Sequence, residues 1–203
     1  MKNSLTNGII VRWTLLTMVG LAAGIVAAIL LDRPIEAVVG MMLVTPILTL
    51  VAGAILGSSQ WFQLRALLKH ARLWVLATCV GLGVGLVFGV VTVEKVGTLL
   101  AGHRPRLMHL SPLQRALSFA VLGIITGVWV GAVQWFAVLR RQFKSSSWIP
   151  ISAVSLGVAF SVSSLIVDGL LGGIASPLGV IFFVLLAGFM FGVGTARPLL
   201  QKA

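Results

Sequence analysis

Few side chains in this sequence offer chemistry beyond packing. His103 and His109 lie close together in one polar stretch, and two imidazoles so placed could ligate a metal ion or a tetrapyrrole. They have no Cys or acidic partner at a spacing typical of metal sites. Asp168 follows Ser163 and Ser164 at the end of an apolar stretch, where a solvated helix end is the favoured interpretation. We therefore treat His103, His109 and Asp168 as speculative ligand or pigment contacts.

Catalytic patterns are missing from the sequence. There is no HExxH motif, no pair of carboxylates at a working distance and no Ser-His-Asp set that could meet at one depth. No ionisable residue lies near the middle of an apolar stretch, which disfavours a proton pump or an ion channel. We predict a protein that is not an enzyme and has no metal site. The sequence indicates no cofactor, and a bound pigment or lipid stays open.

The composition indicates that membrane-spanning helices position these residues. The chain has 203 residues, of which 59% are hydrophobic and 9% charged, and its mean hydropathy is +1.11. Apolar runs of about 18 or more residues predict membrane-spanning helices. We predict an all-α transmembrane six-helix bundle forming a single integral membrane domain, with an outer loop at 93–114. The predicted spans are 13–31, 37–59, 73–92, 115–139, 149–168 and 177–196.

The basic residues concentrate on one side of this six-span topology. The formal net charge is +11, and all four acidic residues fall on the other side. Because positive residues in short loops stay cytoplasmic, we expect both termini in the cytoplasm and the chain in a bacterial inner or thylakoid-type membrane. Most of this charge is a topogenic signal, to which attraction for anionic headgroups would add. Membrane lipids are expected partners. Nucleic acid is not, since no basic segment is separate from a membrane flank.

A repeated segment organises the chain. Residues 53–83 and 127–157 match at a constant offset, and the matches include scarce Gln and Trp residues. The offset spans two helices, so the two copies have the same orientation in the membrane. The matched pairs are Gly53 with Gly127, Gly57 with Gly131, Gln60 with Gln134, Trp61 with Trp135, Phe62 with Phe136, Trp74 with Trp148, and Gly83 with Gly157.

Half-copies of the repeat lie at the two ends of the chain. Trp13 opens the first span, with glycines at the same spacings as those that follow Trp74. Gly188 and Gly192 end the last span in the manner of Gly53 and Gly57. These patterns predict three pairs of helices around an approximate three-fold axis along the membrane normal, the third pair being split between the termini.

The repeated residues favour helix packing. Glycines four residues apart let helices approach closely, and a Gln amide can bond across the contact. We assign this role to Gly53, Gly57, Gln60, Gly127, Gly131, Gln134, Gly188 and Gly192. A ligand or pigment pocket and a contact with another protein are the alternatives for the same stripe. Tryptophans beside basic turns are typical of interfacial anchors, a role that we expect for Trp13, Trp61, Trp74, Trp135 and Trp148.

The pattern G-x-x-Q-W-x-x-L-R, followed by a basic turn and a glycine-rich helix, resembles uncharacterised bacterial polytopic membrane proteins, familiar in cyanobacteria. Gln60, Trp61, Leu64 and Arg65 fit its spacing, whereas the second copy has one extra residue before Arg140. The resemblance implies a multi-pass membrane protein and no particular activity.

Two functions follow as hypotheses. The first is a non-enzymatic integral membrane protein that packs with, assembles or stabilises a larger membrane complex together with other membrane-protein subunits. The alternative is a small-solute carrier, or a substrate-binding membrane subunit, for a neutral or hydrophobic ligand. Glycine-lined faces, short loops and missing catalytic groups favour the first hypothesis.

Overall fold

The fold is all-helical, as predicted, over the residues that the computed structural model describes: 2–66, 68, 70–101, 110–141, 147–171 and 176–200. A short 3-10 turn, Leu139–Arg141, follows the fourth helix. The helices are α1 Lys2–Val39, α2 Met41–Leu64, α3 Arg72–Ala101, α4 Pro112–Ala137, α5 Trp148–Leu171 and α6 Pro177–Leu200.

All six helices are long and apolar enough to cross a membrane. A helix satisfies its own backbone hydrogen bonds, which hydrocarbon cannot do, and this is why apolar runs of this length become helices. The chain is an integral membrane protein.

The turn between α1 and α2 differs from the prediction. The predicted spans 13–31 and 37–59 leave a break at 32–36, but α1 continues past Pro34 to Val39 and α2 begins at Met41. Pro34 removes one backbone donor without ending the helix, and Gly40 makes the reversal with a φ of 80°. Beyond the predicted span the helix carries charged residues, and Nη1 of the exposed Arg33 lies 3.9 Å from Oε2 of Glu36.

The third helix extends into the predicted outer loop. Its 30 residues correspond to about 45 Å at 1.5 Å per residue, which exceeds the roughly 30 Å hydrocarbon thickness of a bilayer. Its last turns carry the exposed Glu94 and Lys95. The loop predicted at 93–114 is therefore helical as far as Ala101, and helix α4 begins at Pro112 behind the capping residue Ser111.

The six helices form a closed ring. Each packs on the helix before and after it, and α6 packs on α1. We call the end at which α1, α3 and α5 begin the basic end, since Arg12, Arg65 and Arg72 lie there, and the opposite end the distal end. The core at the basic end is a cluster containing Trp13, Leu64, Leu68, Ala71, Trp74, Trp135, Val138, Leu139, Trp148 and Ala196.

Candidate functional site

A hydrogen-bonded network joins the helices at the basic end. Gln60 on α2 is 1% exposed; its Nε2 donates to Oγ1 of Thr17 on α1 over 3.1 Å. Its Oε1 accepts from Nε1 of Trp74 on α3 over 2.9 Å. One amide thus bridges three consecutive helices. Hydrogen bonds of this kind hold helices together where lipid offers no alternative partner.

The second copy makes the same bonds. Gln134 on α4 donates from Nε2 to Oγ1 of Thr78 on α3 over 3.0 Å. Its Oε1 accepts from Nε1 of Trp148 on α5, also over 3.0 Å. Thr78 is a shared element, because its hydroxyl in turn donates to the carbonyl of Trp74 over 2.8 Å. The two amides are therefore connected through α3.

The third copy is incomplete. Thr195 on α6 stands where the other copies have Gln, and its Oγ1 accepts from Nε1 of Trp13 over 3.0 Å. A threonine has no second arm to reach α5. The hydroxyl of Ser152, four residues after Trp148 as Thr78 is after Trp74, is buried and has no hydrogen-bond partner. The network is thus interrupted between α5 and α6.

The expected anchoring role does not fit four of the five tryptophans. Trp13, Trp74 and Trp148 are 1%, 0% and 4% exposed and donate their N–H groups inside the bundle. Their rings form edge contacts, at 6.1 Å between Trp13 and Trp74 and 5.7 Å between Trp74 and Trp148. Trp135 is also buried. These four indoles are buried in the core cluster at the basic end, so they are not exposed to lipid headgroups.

Trp61 alone among the five remains partly exposed, with the Arg65 guanidinium 5.5 Å from its ring centroid. That position, an indole beside a cation at a helix end, is the one expected of an interfacial residue.

The glycines predicted for helix packing lie at close approaches between α2 and α3, α4 and α5, and α6 and α1. A methyl group added at Gly53, Gly127 or Gly188 would lie 2.7, 2.6 or 2.8 Å from the Cα of Cys79, Ala153 or Met18, respectively. One added at Gly57, Gly131 or Gly192 would lie 2.9, 3.0 or 2.8 Å from the Cα of Val75, Ile149 or Thr14. Any side chain at these positions would push the two helices apart.

The distal end carries a buried ion pair that the sequence did not suggest. Arg115 on α4 places Nη1 2.6 Å from Oδ1 of Asp168 on α5, and their side chains are 13% and 5% exposed. Asp168 is therefore not the solvated helix end that we expected. The reason is the packing of α4 on α5, which brings residues far apart in the chain together and excludes water from the carboxylate.

Several polar atoms near this pair lack partners. The Oδ2 atom of Asp168 and the hydroxyls of Ser163 and Ser164 are buried without a hydrogen bond. Ser164 precedes Asp168 by one helical turn, so the two lie on the same face of α5. Buried polar atoms without partners are costly, and here they concentrate on one helix.

His103 and His109 lie outside the described residues. Among the residues that are described, no group of three or more His, Cys, Asp and Glu side chains could hold a metal ion.

A lipid-facing aromatic pair also escaped the sequence analysis. Phe88 on α3 and Trp129 on α4 are 52% and 36% exposed. Their rings stack with centroids 5.2 Å apart and an interplanar angle of 24°. The signal available in the sequence was a Trp well inside a span, away from the basic turns.

No protein-family model matches the chain, and no curated protein or solved structure is significantly similar to it.

Proposed function

We propose that this chain is a non-enzymatic membrane subunit that packs with, and stabilises, a larger membrane complex. The observation that carries the proposal is the stacked pair Phe88–Trp129 on the lipid-facing side of α3 and α4. Tryptophan is one of the residues enriched at the energetic centres of protein interfaces.

The depth of Trp129 makes lipid an unsuitable neighbour. Val130 lies against Gly81 of α3, and Gly81 is about 14 Å from the start of that helix at 1.5 Å per residue. The indole therefore lies within the hydrocarbon region. Its N–H group has no hydrogen-bond partner among the described residues.

A neighbouring transmembrane helix would supply what lipid lacks. An unsatisfied donor in hydrocarbon costs several kcal/mol by order of magnitude, and acyl chains contain no acceptor. A Ser, Thr, Asn or Gln side chain, or a carbonyl exposed beside a small residue, would accept from the indole. The proposed partner is thus a membrane helix that presents one polar acceptor to a flat aromatic surface.

The direct test is a photo-crosslinking amino acid at Val87, which lies beside Phe88 and is 47% exposed. In the native membrane we expect one discrete adduct of higher mass. The matched control is Val158 on α5, which is 48% exposed and should give lipid adducts only. A dimer of the chain would identify a second copy as the partner. Equal adducts at both positions, or none at Val87, would contradict the proposal.

A substitution of Trp129 tests the contribution of the indole N–H apart from that of the aromatic surface. Trp129→Phe keeps a ring for stacking on Phe88 but removes the donor, and we expect it to weaken the Val87 adduct. The variant should elute and melt like the wild type, because Trp129 contributes little to the core.

The alternative function, a carrier or binding subunit for a small neutral or hydrophobic ligand, is favoured by the distal polar atoms. Ser163, Ser164 and Asp168 offer buried oxygens without partners, which a ligand with hydroxyl or amide groups would satisfy. A rise in melting temperature with such a ligand, lost in Ser164→Ala, would support this function over the first.

A further inference from the structure

A groove lies between α1 and α2 at the basic end. It has a volume of about 520 Å³ and is lined by Ile9, Arg12, Leu15, Leu16, Phe62, Gln63 and Ala66. Volumes of about 300 to 1,000 Å³ are typical of sites for small molecules. Most of the wall is apolar, and the groove opens to the side of the ring where membrane lipid must lie.

Positive charge borders this apolar groove. Arg12 lines it and has an exposed side chain without an acidic partner among the described residues. A second guanidinium, that of Arg65, lies 5.1 Å from the centroid of the Phe62 ring, which forms part of the wall. Cation–π contacts of this kind orient the Arg65 side chain. The groove therefore combines an apolar floor with two cations at its rim.

The corresponding place in the second copy has a different chemistry. Leu73 precedes Trp74 as Arg12 precedes Trp13, and Ala137 follows Phe136 as Gln63 follows Phe62. Arg12 and Gln63 are thus properties of the α1–α2 groove and not of the repeat, whereas the contact of Arg65 with Phe62 recurs as Arg140 over Phe136, at 5.9 Å. Gln63 also serves helix packing, because its Nε2 donates to the carbonyl of Ile9 on α1 over 3.0 Å. Its Oε1, however, is buried without a hydrogen-bond partner. Arg12 and this unpartnered oxygen point to a ligand.

We propose that this groove binds one anionic phospholipid of the leaflet that contains the basic end. Its phosphate lies against Arg12 and Arg65, and an acyl chain covers Leu15, Leu16 and Phe62. Arginine matches phosphate geometry with two parallel hydrogen bonds, and apolar walls facing a membrane are filled by acyl chains. The two arginines make the site selective for an anionic headgroup, and the apolar groove holds the acyl chain.

The test is native mass spectrometry of the detergent-solubilised protein with phosphatidylglycerol or phosphatidylcholine of the same chain length. We expect one retained phosphatidylglycerol and weaker retention of phosphatidylcholine. Arg12→Leu, which copies Leu73, should lower the phosphatidylglycerol affinity about fivefold, the effect of one basic residue near an anionic surface. Arg65→Gln should act in the same direction. The matched control is Arg72→Leu, which removes an exposed charge at the same end but outside the groove and should change nothing.

Three outcomes would overturn the proposal: equal retention of the two lipids, an unchanged affinity in both groove variants, or an equal loss in Arg72→Leu. Millimolar inorganic phosphate provides a further arm. If it displaces the lipid completely, the site recognises a free anion and not a phospholipid. The elution volume of each variant is compared with that of the wild type, so that a variant with a folding defect is recognised.

Discussion

The two ends of the ring differ in whether their contacts between helices follow the repeat. At the basic end, each pair of helices repeats one arrangement: a buried Trp, a hydroxyl one turn later and an amide or hydroxyl on the preceding helix. At the distal end the pairs differ from one another. The pair α1–α2 is joined by the Gly40 turn, whereas α4 and α5 share the Arg115–Asp168 ion pair.

This difference separates folding from function. Interactions that recur in every copy serve what all copies share, which is holding neighbouring helices at a fixed distance. Features confined to one copy have no such explanation. Three features are confined to one copy in this way: the distal ion pair, the stacked Phe88–Trp129 surface, and Arg12 in the α1–α2 groove.

The largest expected effect comes from the centre of the basic end. Trp74→Ala removes a fully buried ring that touches both Trp13 and Trp148, and we expect a loss of about 3 to 5 kcal/mol in the free energy of unfolding. Trp129→Ala is the control, since that ring is 36% exposed at the outer surface of the bundle and its loss should cost much less. The measurement is unfolding in detergent micelles. Similar losses for both would mean that the basic end does not carry the stability.

Breaking the distal ion pair is expected to cost somewhat less. Arg115→Gln leaves the buried Asp168 carboxylate uncompensated, with a loss of about 3 kcal/mol. The double variant with Asp168→Asn should recover most of it, because no buried charge remains. Unfolding of both variants in the same micelles would show this. If the double variant is as unstable as the single one, the pair contributes more than charge compensation.

The smallest expected effects come from the hydrogen-bonded network at the basic end, where a complete copy can be compared with the incomplete third copy. Gln134→Leu leaves the buried N–H of Trp148 without an acceptor and removes the donor to Thr78, so we expect a loss of about 2 kcal/mol. Thr195→Val removes a single acceptor, that of Trp13, and should cost about 1 kcal/mol. Thermal unfolding midpoints rank the two. The reverse order would show that the incomplete third copy is the more important one.

The sequence predicted the six helices well because their apolar runs are long. Charge was a poorer guide to the breaks, since the chain reverses at the uncharged Gly40 and not at the charged residues 32–36. The sequence also placed Gln60 and Gln134 on helix contacts, since an amide within a membrane helix needs a partner. It could not tell which way a tryptophan near a helix end faces. Periodicity relates a residue to its own helix, whereas the burial of Trp74 depends on two other helices. The hydroxyls at Thr17, Thr78 and Ser152, each one turn after a Trp, were the overlooked signal.

The distal features were beyond sequence reasoning for a related reason. Arg115 and Asp168 are 53 residues apart in the chain, and neither belongs to a motif. Their pairing follows from how closely α4 packs on α5, which the small residues Gly123 and Gly127 permit. A local pattern cannot supply a distance between helices.

The contact between α6 and α1 also has a consequence for the order of assembly. Trp13 lies in α1, yet its acceptor, Thr195, lies in α6, 182 residues later in the chain. Met18 and Thr14 of α1 likewise lack their helix contact until Gly188 and Gly192 of α6 have been synthesised. Interactions between residues so far apart in sequence form late, because the loop that joins them must close first. We expect the nascent chain to insert as an open arc in which α1 keeps one face unpartnered until α6 has been inserted.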